Sequence, residues 1–126
     1  LLIDSSNIKL SEATGLVVSI DSFPAYLETH PIFELLPKDA SVEILIGDVV
    51  YELKDKGVYL VDEIKDKDIS ISLPEGYESR IGEVGLCSAI KEAVKNNEIN
   101  FEAHSSKFNL FLKYSRLFKY KDCLGE

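Results

Sequence analysis

The stretch SVEILIGDVVYELKDKGVYLVDEIKDKDISISL, residues 41–73, decides the fold. Val42, Ile44 and Ile46 alternate with Ser41, Glu43 and Leu45. A second run, Val49-Val50-Tyr51-Glu52-Leu53, follows Gly47-Asp48, and a third, Val58-Tyr59-Leu60-Val61, follows Lys54-Asp55-Lys56-Gly57. Ile69-Ser70-Ile71-Ser72-Leu73 closes the series after the charged turn Asp66-Lys67-Asp68. Period-two alternation sends successive side chains to opposite sheet faces, so one face is apolar and the other wet. Short turns bearing Gly and Asp predict a meander in which neighbouring strands are antiparallel. A one-sided sheet has to be covered, and the flanking sequence supplies helices.

Upstream, residues 1–14 carry only weak patterning and read as an arm or short helix. Leu16-Val17-Val18-Ser19-Ile20 fits a strand or part of a helix equally well, because five residues do not separate the two periods. Phe23, Tyr26, Leu27, Ile32, Phe33, Leu35 and Leu36 predict helical turns facing a core. Pro24 suits a first turn and Pro31 interrupts, which makes two short helices. Downstream, Pro74-Glu75-Gly76 ends the fourth strand, and residues 77–84 form a short helical or irregular connection. Leu86, Ala89, Ile90, Ala93 and Val94 mark one face of a helix that closes at Asn96-Asn97. Residues 98–102 alternate again as a fifth strand. Ser105 or Ser106 caps a last helix with Phe108, Leu110, Phe111, Leu112, Tyr114, Leu117 and Phe118 as its apolar set. The fold class is therefore α+β: a five-stranded, mainly antiparallel sheet with helices on one face. One domain spans residues 1–126, with a possible arm at 1–21, a core at 22–118 and a tail at 119–126.

Charge narrows the function. Lys plus Arg total 14 against 22 Asp plus Glu, a net charge of −8. That excludes a dedicated nucleic-acid binder, which needs a basic footprint to release counterions from phosphates. The acidity is lopsided: residues 1–85 hold 7 basic and 17 acidic side chains, or −10, and residues 86–126 hold 7 and 5, or +2. Cys87 and Cys123 are too few to imply a disulfide scaffold, and an unpaired state is the favoured reading. No stretch approaches the apolar length of a membrane span and no leader pattern opens the chain, so a soluble, cytoplasmic protein is expected.

Chemistry-bearing residues are sparse. Cys87 with His30 or His104 would need proximity and an orienting group that nothing local provides, so no catalytic residue is assigned. Asp62, Glu63, Asp66 and Asp68 suggest calcium only superficially. Lys65 and Lys67 interrupt them and the central Gly is missing, so a solvated turn is the reading and no metal is expected. Gly82 and Gly85 lack the Gly-Lys-Ser/Thr ending of a phosphate loop. No cofactor is expected.

The order of elements resembles the sterol carrier protein type 2 family of lipid-binding domains, over roughly residues 22–118. Three stretches carry the likeness: residues 66–73, an acidic turn leading into an alternating strand; residues 97–102, a late strand directly after a helix; and residues 108–118, a closing helix ending in Arg116-Leu117-Phe118. Departures occur where the family has Gly around its late strand; this chain has Asn97 before it and Ala103-His104-Ser105 after it. The resemblance implies non-catalytic binding or carriage of a fatty acid, acyl-CoA, phospholipid or sterol in a cavity between sheet and helices. About 0.8 kcal/mol per buried methylene lets such a site bind without any polar motif. Strand parity assigns Ile44, Ile46, Tyr51, Tyr59, Ile71 and Phe101 to the covered face. Leu86, Ile90, Val94, Phe108, Phe111 and Leu112 would face them from the helices. Each of these positions also fits a solid core, because interiors are close-packed. The alternative function is an accessory or protein-interaction domain with a filled core. Lys113, Arg116, Lys119 and Lys121 beside the aromatics add the option of a transient membrane contact.

Overall fold

A computed structural model describes residues 15–54 and 57–116. Ser22 precedes helix α1 (Phe23–Glu28), with Pro24 in the first turn, and a 3-10 turn (Pro31–Leu35) follows. Strands β1 (Val42–Ile46), β2 (Val49–Lys54), β3 (Gly57–Val61) and β4 (Ile69–Leu73) come next. Helices α2 (Tyr77–Val84) and α3 (Leu86–Lys95), strand β5 (Asn100–Ala103) and helix α4 (Lys107–Lys113) complete the order. The chain is an α+β fold with a five-stranded, mostly antiparallel sheet.

The local expectations hold. A two-residue turn joins β1 to β2, and Gly47 supplies its positive φ of 61°. Asn97 takes the left-handed conformation at φ 57° beyond α3, and the Ser106 hydroxyl accepts from the Asn109 N–H at 3.2 Å to cap α4. The connection over residues 77–84 is a full helix.

The simple meander does not hold. The sheet order is β3-β2-β1-β4-β5, and β4 lies parallel to β1 instead of antiparallel to β3. Residues 62–68 are therefore a strap and not a hairpin turn. They return the chain to the start of β1, with Lys67 ion-paired to Glu43 at 3.1 Å and the Ser41 hydroxyl donating to the Asp66 carbonyl at 2.7 Å. Parallel neighbours need a crossover, and alternation within a strand carries no information about which neighbour it finds.

Register defines two faces. Ile44 pairs with Tyr51 and with Ile71, and Ile71 pairs with Phe101, so these four share the face on which the helices pack. Phe23 of α1 meets Tyr51 edge-on with ring centroids 4.7 Å apart. Leu27, Ile46, Tyr77, Ile81, Leu86, Ala89 and Ala93 fill the same core. On the opposite face Glu43 pairs with Ser70 and Leu45 with Val50, which is buried outside the main core cluster. Tyr59 also belongs there: it pairs with Glu52, while Val58 pairs with Leu53 on the core side. The expected placement of Tyr59 on the covered face is thus corrected. The pairing of Lys54 with Gly57 sets the parity, and counting along the sequence by twos from Tyr51 shifts it by one.

Residues 15–18, part of the stretch set aside as an arm, lie against the end of α2. The Leu16 N–H donates to the Gly82 carbonyl at 2.9 Å and the Gly15 N–H to the Glu83 carbonyl at 2.8 Å, which buries Val18 in the core. A Cβ on Gly82 would stand 2.5 Å from Val18 Cγ2 and 2.6 Å from the Leu16 carbonyl oxygen. Gly82→Ala is therefore expected to destabilise the fold by about 2 kcal/mol, despite alanine's higher helix propensity. Urea unfolding checks it, and a stabilised variant would mean that this segment is not held against α2.

Candidate ligand-binding site

The core side of the sheet is covered unevenly. Over β1 and β2 the packing is closest: Ile46 and Tyr51 have essentially no exposure and Leu86 is buried. Ile44, Ile71 and Ile90 are partly buried against this core. At the β4–β5 end the cover runs out. Phe101 is 60% exposed although its register partner Ile71 is on the core face, and Val94 near the end of α3 is 48% exposed. Two residues expected to line an enclosed cavity, Val94 and Phe101, are therefore largely exposed.

Helix α4 explains part of this opening. It is anchored at the N-terminal ends of β1 and β4, not laid along the sheet. The Tyr114 hydroxyl donates to Asp68 Oδ2 at 2.7 Å and accepts from the Ser41 N–H at 3.2 Å. Lys113 Nζ sits 2.7 Å from Asp68 Oδ2 and 3.4 Å from Asp39. Burial alone would raise the Asp68 carboxyl, but the bonds from Lys113 and Tyr114 outweigh it and hold the group below the usual carboxylate range. Burial, together with Asp68, pushes Tyr114 upward. Leu110 and Tyr114, one helical turn apart, are the residues that α4 packs inward. Phe108, Phe111 and Leu112, expected to face the sheet, are exposed instead. The spacing of Leu110 and Tyr114 was a signal for the inward face, but the larger rings at 108 and 111 compete with it in any reading by bulk.

Two clefts flank the core. One, of about 440 Å³, is lined by Val18, Ile20, Ile46 and Val49 together with Asp48, Glu75 and Glu78. Glu78 is buried and accepts from the Tyr51 hydroxyl at 2.6 Å. Desolvation, reinforced by this carboxylate, drives the Tyr51 phenol upward. Neither group stood out in the sequence, since a Tyr on a strand and a Glu on a helix are individually ordinary. The second cleft, of about 500 Å³, is polar and bordered by Asp39, Ser41, Lys65, Asp66, Lys67, Asp68 and His104. Beside it the Ser70 hydroxyl donates to Glu43 Oε1 at 2.7 Å and lies 3.0 Å from His104 Nε2. Here Ser70 bridges His104 and the carboxylate, whereas a hydrolytic triad needs the imidazole in the middle. The arrangement satisfies a buried Glu on the strap side of the sheet and does not activate a nucleophile.

Among the described residues, the two helices behind the apolar surface are clamped by polar groups. Arg80 of α2 bonds both oxygens of Glu92 on α3, at 2.6 and 3.1 Å, and Glu83. The Tyr77 hydroxyl donates to Glu98 Oε1 at 2.9 Å; burial and then that carboxylate push the phenol up to about 12. Cys87 of α3 is disulfide-bonded, against the expectation of unpaired cysteines; Cys123 lies outside the described residues. No helix among the described residues is long and apolar enough to cross a membrane.

The chain matches no family model, and no curated protein matches it. Among solved structures, one described as "UbiJ-SCP2 Ubiquinone synthesis protein" aligns over 79% of this chain and 80% of its own, at 10% identity and a TM-score of 0.41. That likeness is too slight to carry function.

Proposed function

We propose that this protein binds a lipid or similar apolar molecule without transforming it, on the open surface formed by Ile71, Ile90, Val94 and Phe101. The observation that supports this reading is the exposure of Phe101 on the sheet face that also carries the buried core residues Ile46 and Tyr51. An apolar strand face left half-covered beside a rigid helix pair gains free energy from any hydrocarbon that completes it, about 25 cal/mol per Å² buried. Such a surface selects by apolar area and by shape, and needs no cofactor.

The accessory-domain reading rests on a separate observation: Ile46, Tyr51 and Leu86, three of the residues expected to line a cavity, are packed solid. Titration with a fluorescent fatty acid, beside native mass spectrometry for co-purified lipid, separates the two. Saturable binding weakened at least about tenfold by Phe101→Asp or Val94→Asp, and unchanged by Tyr59→Asp on the opposite face, is the outcome expected. No saturable binding by the wild-type chain would transfer the surface to a protein partner.

A further inference from the structure

Helix α4 carries an outward ridge that the ligand surface does not use. At roughly 100° per residue, Phe111, Phe108 and Leu112 fall within one arc of about 100°, with Phe108 and Leu112 turned away from the inward pair Leu110 and Tyr114 and Phe111 on its flank. Phe108 is 70% exposed and Leu112 57%. Lys107 borders one side of the arc and Arg116, just past the helix, borders the other; both are exposed. Neither has a carboxylate partner among the ion pairs of the described residues, whereas Lys113, on the inward side, is held by Asp39 and Asp68. An apolar arc rimmed by cations is the composition of a helix that lies in a membrane interface.

We infer that α4 docks this protein onto an anionic lipid bilayer, with Phe108 and Leu112 entering the acyl boundary and Lys107 and Arg116 resting among the headgroups. Charge complementarity selects this occupant. The segment carrying α4 has a balance of +2 in a chain of net −8, so an anionic surface attracts this end and repels the rest. With a Debye length of about 8 Å at physiological ionic strength, the distant acidic residues are screened while the rim cations act at contact. The ridge borders neither cleft, and a fluid apolar phase accommodates it without a matching pocket. The Asp68–Lys113–Tyr114 anchor keeps α4 fixed while the opposite side is inserted.

Flotation of the whole protein with vesicles tests this. Binding is expected to an equimolar mixture of phosphatidylcholine and phosphatidylserine, to weaken with salt, and to be marginal for phosphatidylcholine alone. Lys107→Glu with Arg116→Glu, and separately Phe108→Ser with Leu112→Ser, should each reduce partitioning by about tenfold or more. Because all four side chains are exposed, the variants should retain wild-type circular dichroism and fatty-acid titration, so failure here is distinguishable from failure of the ligand reading. Equal binding to both vesicle types, or variants that bind like wild type, overturns the inference. So does absence from vesicles combined with a dimer that Phe108→Ser and Leu112→Ser dissolve, which would assign the ridge to a second copy.

Discussion

Phe23→Ala should lower the unfolding free energy by about 3–5 kcal/mol, a large part of the roughly 5–15 kcal/mol that holds a domain folded. Phe23 has no exposed surface, and its ring meets Tyr51 edge-on and stacks near Tyr26 with centroids 6.3 Å apart. Truncation removes transfer free energy and leaves a cavity between α1 and β2. The wall cannot collapse easily, because Tyr51 is held from behind by Glu78. Glu28 fixes the other end of α1 by accepting from the Val58 N–H at 2.7 Å. A urea midpoint shifted down with unchanged slope is the signature, and Phe23→Leu should cost less than half as much. A loss below about 1 kcal/mol would mean that α1 does not close the core as described.

Acid should destabilise the protein well before its carboxylates protonate, through His30. This imidazole is buried, and its Nδ1 accepts from the Ile32 N–H at 3.0 Å where the 3-10 turn begins. Burial holds its pKa down at about 4, from an ordinary 6.5. A proton added at Nδ1 would also set two donors against each other. Between those values the unfolded chain binds a proton that the folded chain refuses. Stability is therefore complete above the unfolded value and drains away as pH falls towards the folded one, by up to about 3 kcal/mol. His30→Asn keeps an acceptor for Ile32 and removes the titration, so its melting temperature should vary less between neutral pH and the lower end of that window. Parallel pH profiles for wild type and variant would sink the idea. The depressed Asp68 acts in the same direction but at lower pH, when its carboxylate finally protonates and α4 loses its anchor.

The disulfide at Cys87 bears on how such measurements should be made. An unfolding experiment that includes reductant therefore also breaks a covalent link at α3. The expectation of unpaired cysteines rested on their number, and number says nothing about spatial proximity.

Legibility followed the range of the interaction. Six of the twelve residues expected at the site, Ile44, Ile46, Tyr51, Ile71, Leu86 and Ile90, belong to or pack against the core between sheet and helices, because alternation and helical spacing are set by neighbours a few residues apart. Val94 and Phe101 are largely exposed and carry the proposed binding surface. Tyr59 fell on the wrong face because parity along β3 is set by its register against β2 and not by the strand itself. Phe108, Phe111 and Leu112 were expected inward because large apolar side chains usually are. Two polar anchors, Tyr114–Asp68 and Lys113–Asp68, rotated α4 so that Leu110 went in and the rings went out.

The sequence by itself determined the elements: five alternating strands, the capped and proline-bounded helices, the left-handed Asn97 and an apolar face that had to be covered. Only the tertiary structure decided that β4 skips β3 to lie beside β1, that residues 62–68 strap the second face, and that the cover stops short of Phe101. The physical reason is that side-chain periodicity is a property of the local backbone, whereas strand order and helix placement are settled by which distant surfaces bury most area with their polar groups satisfied.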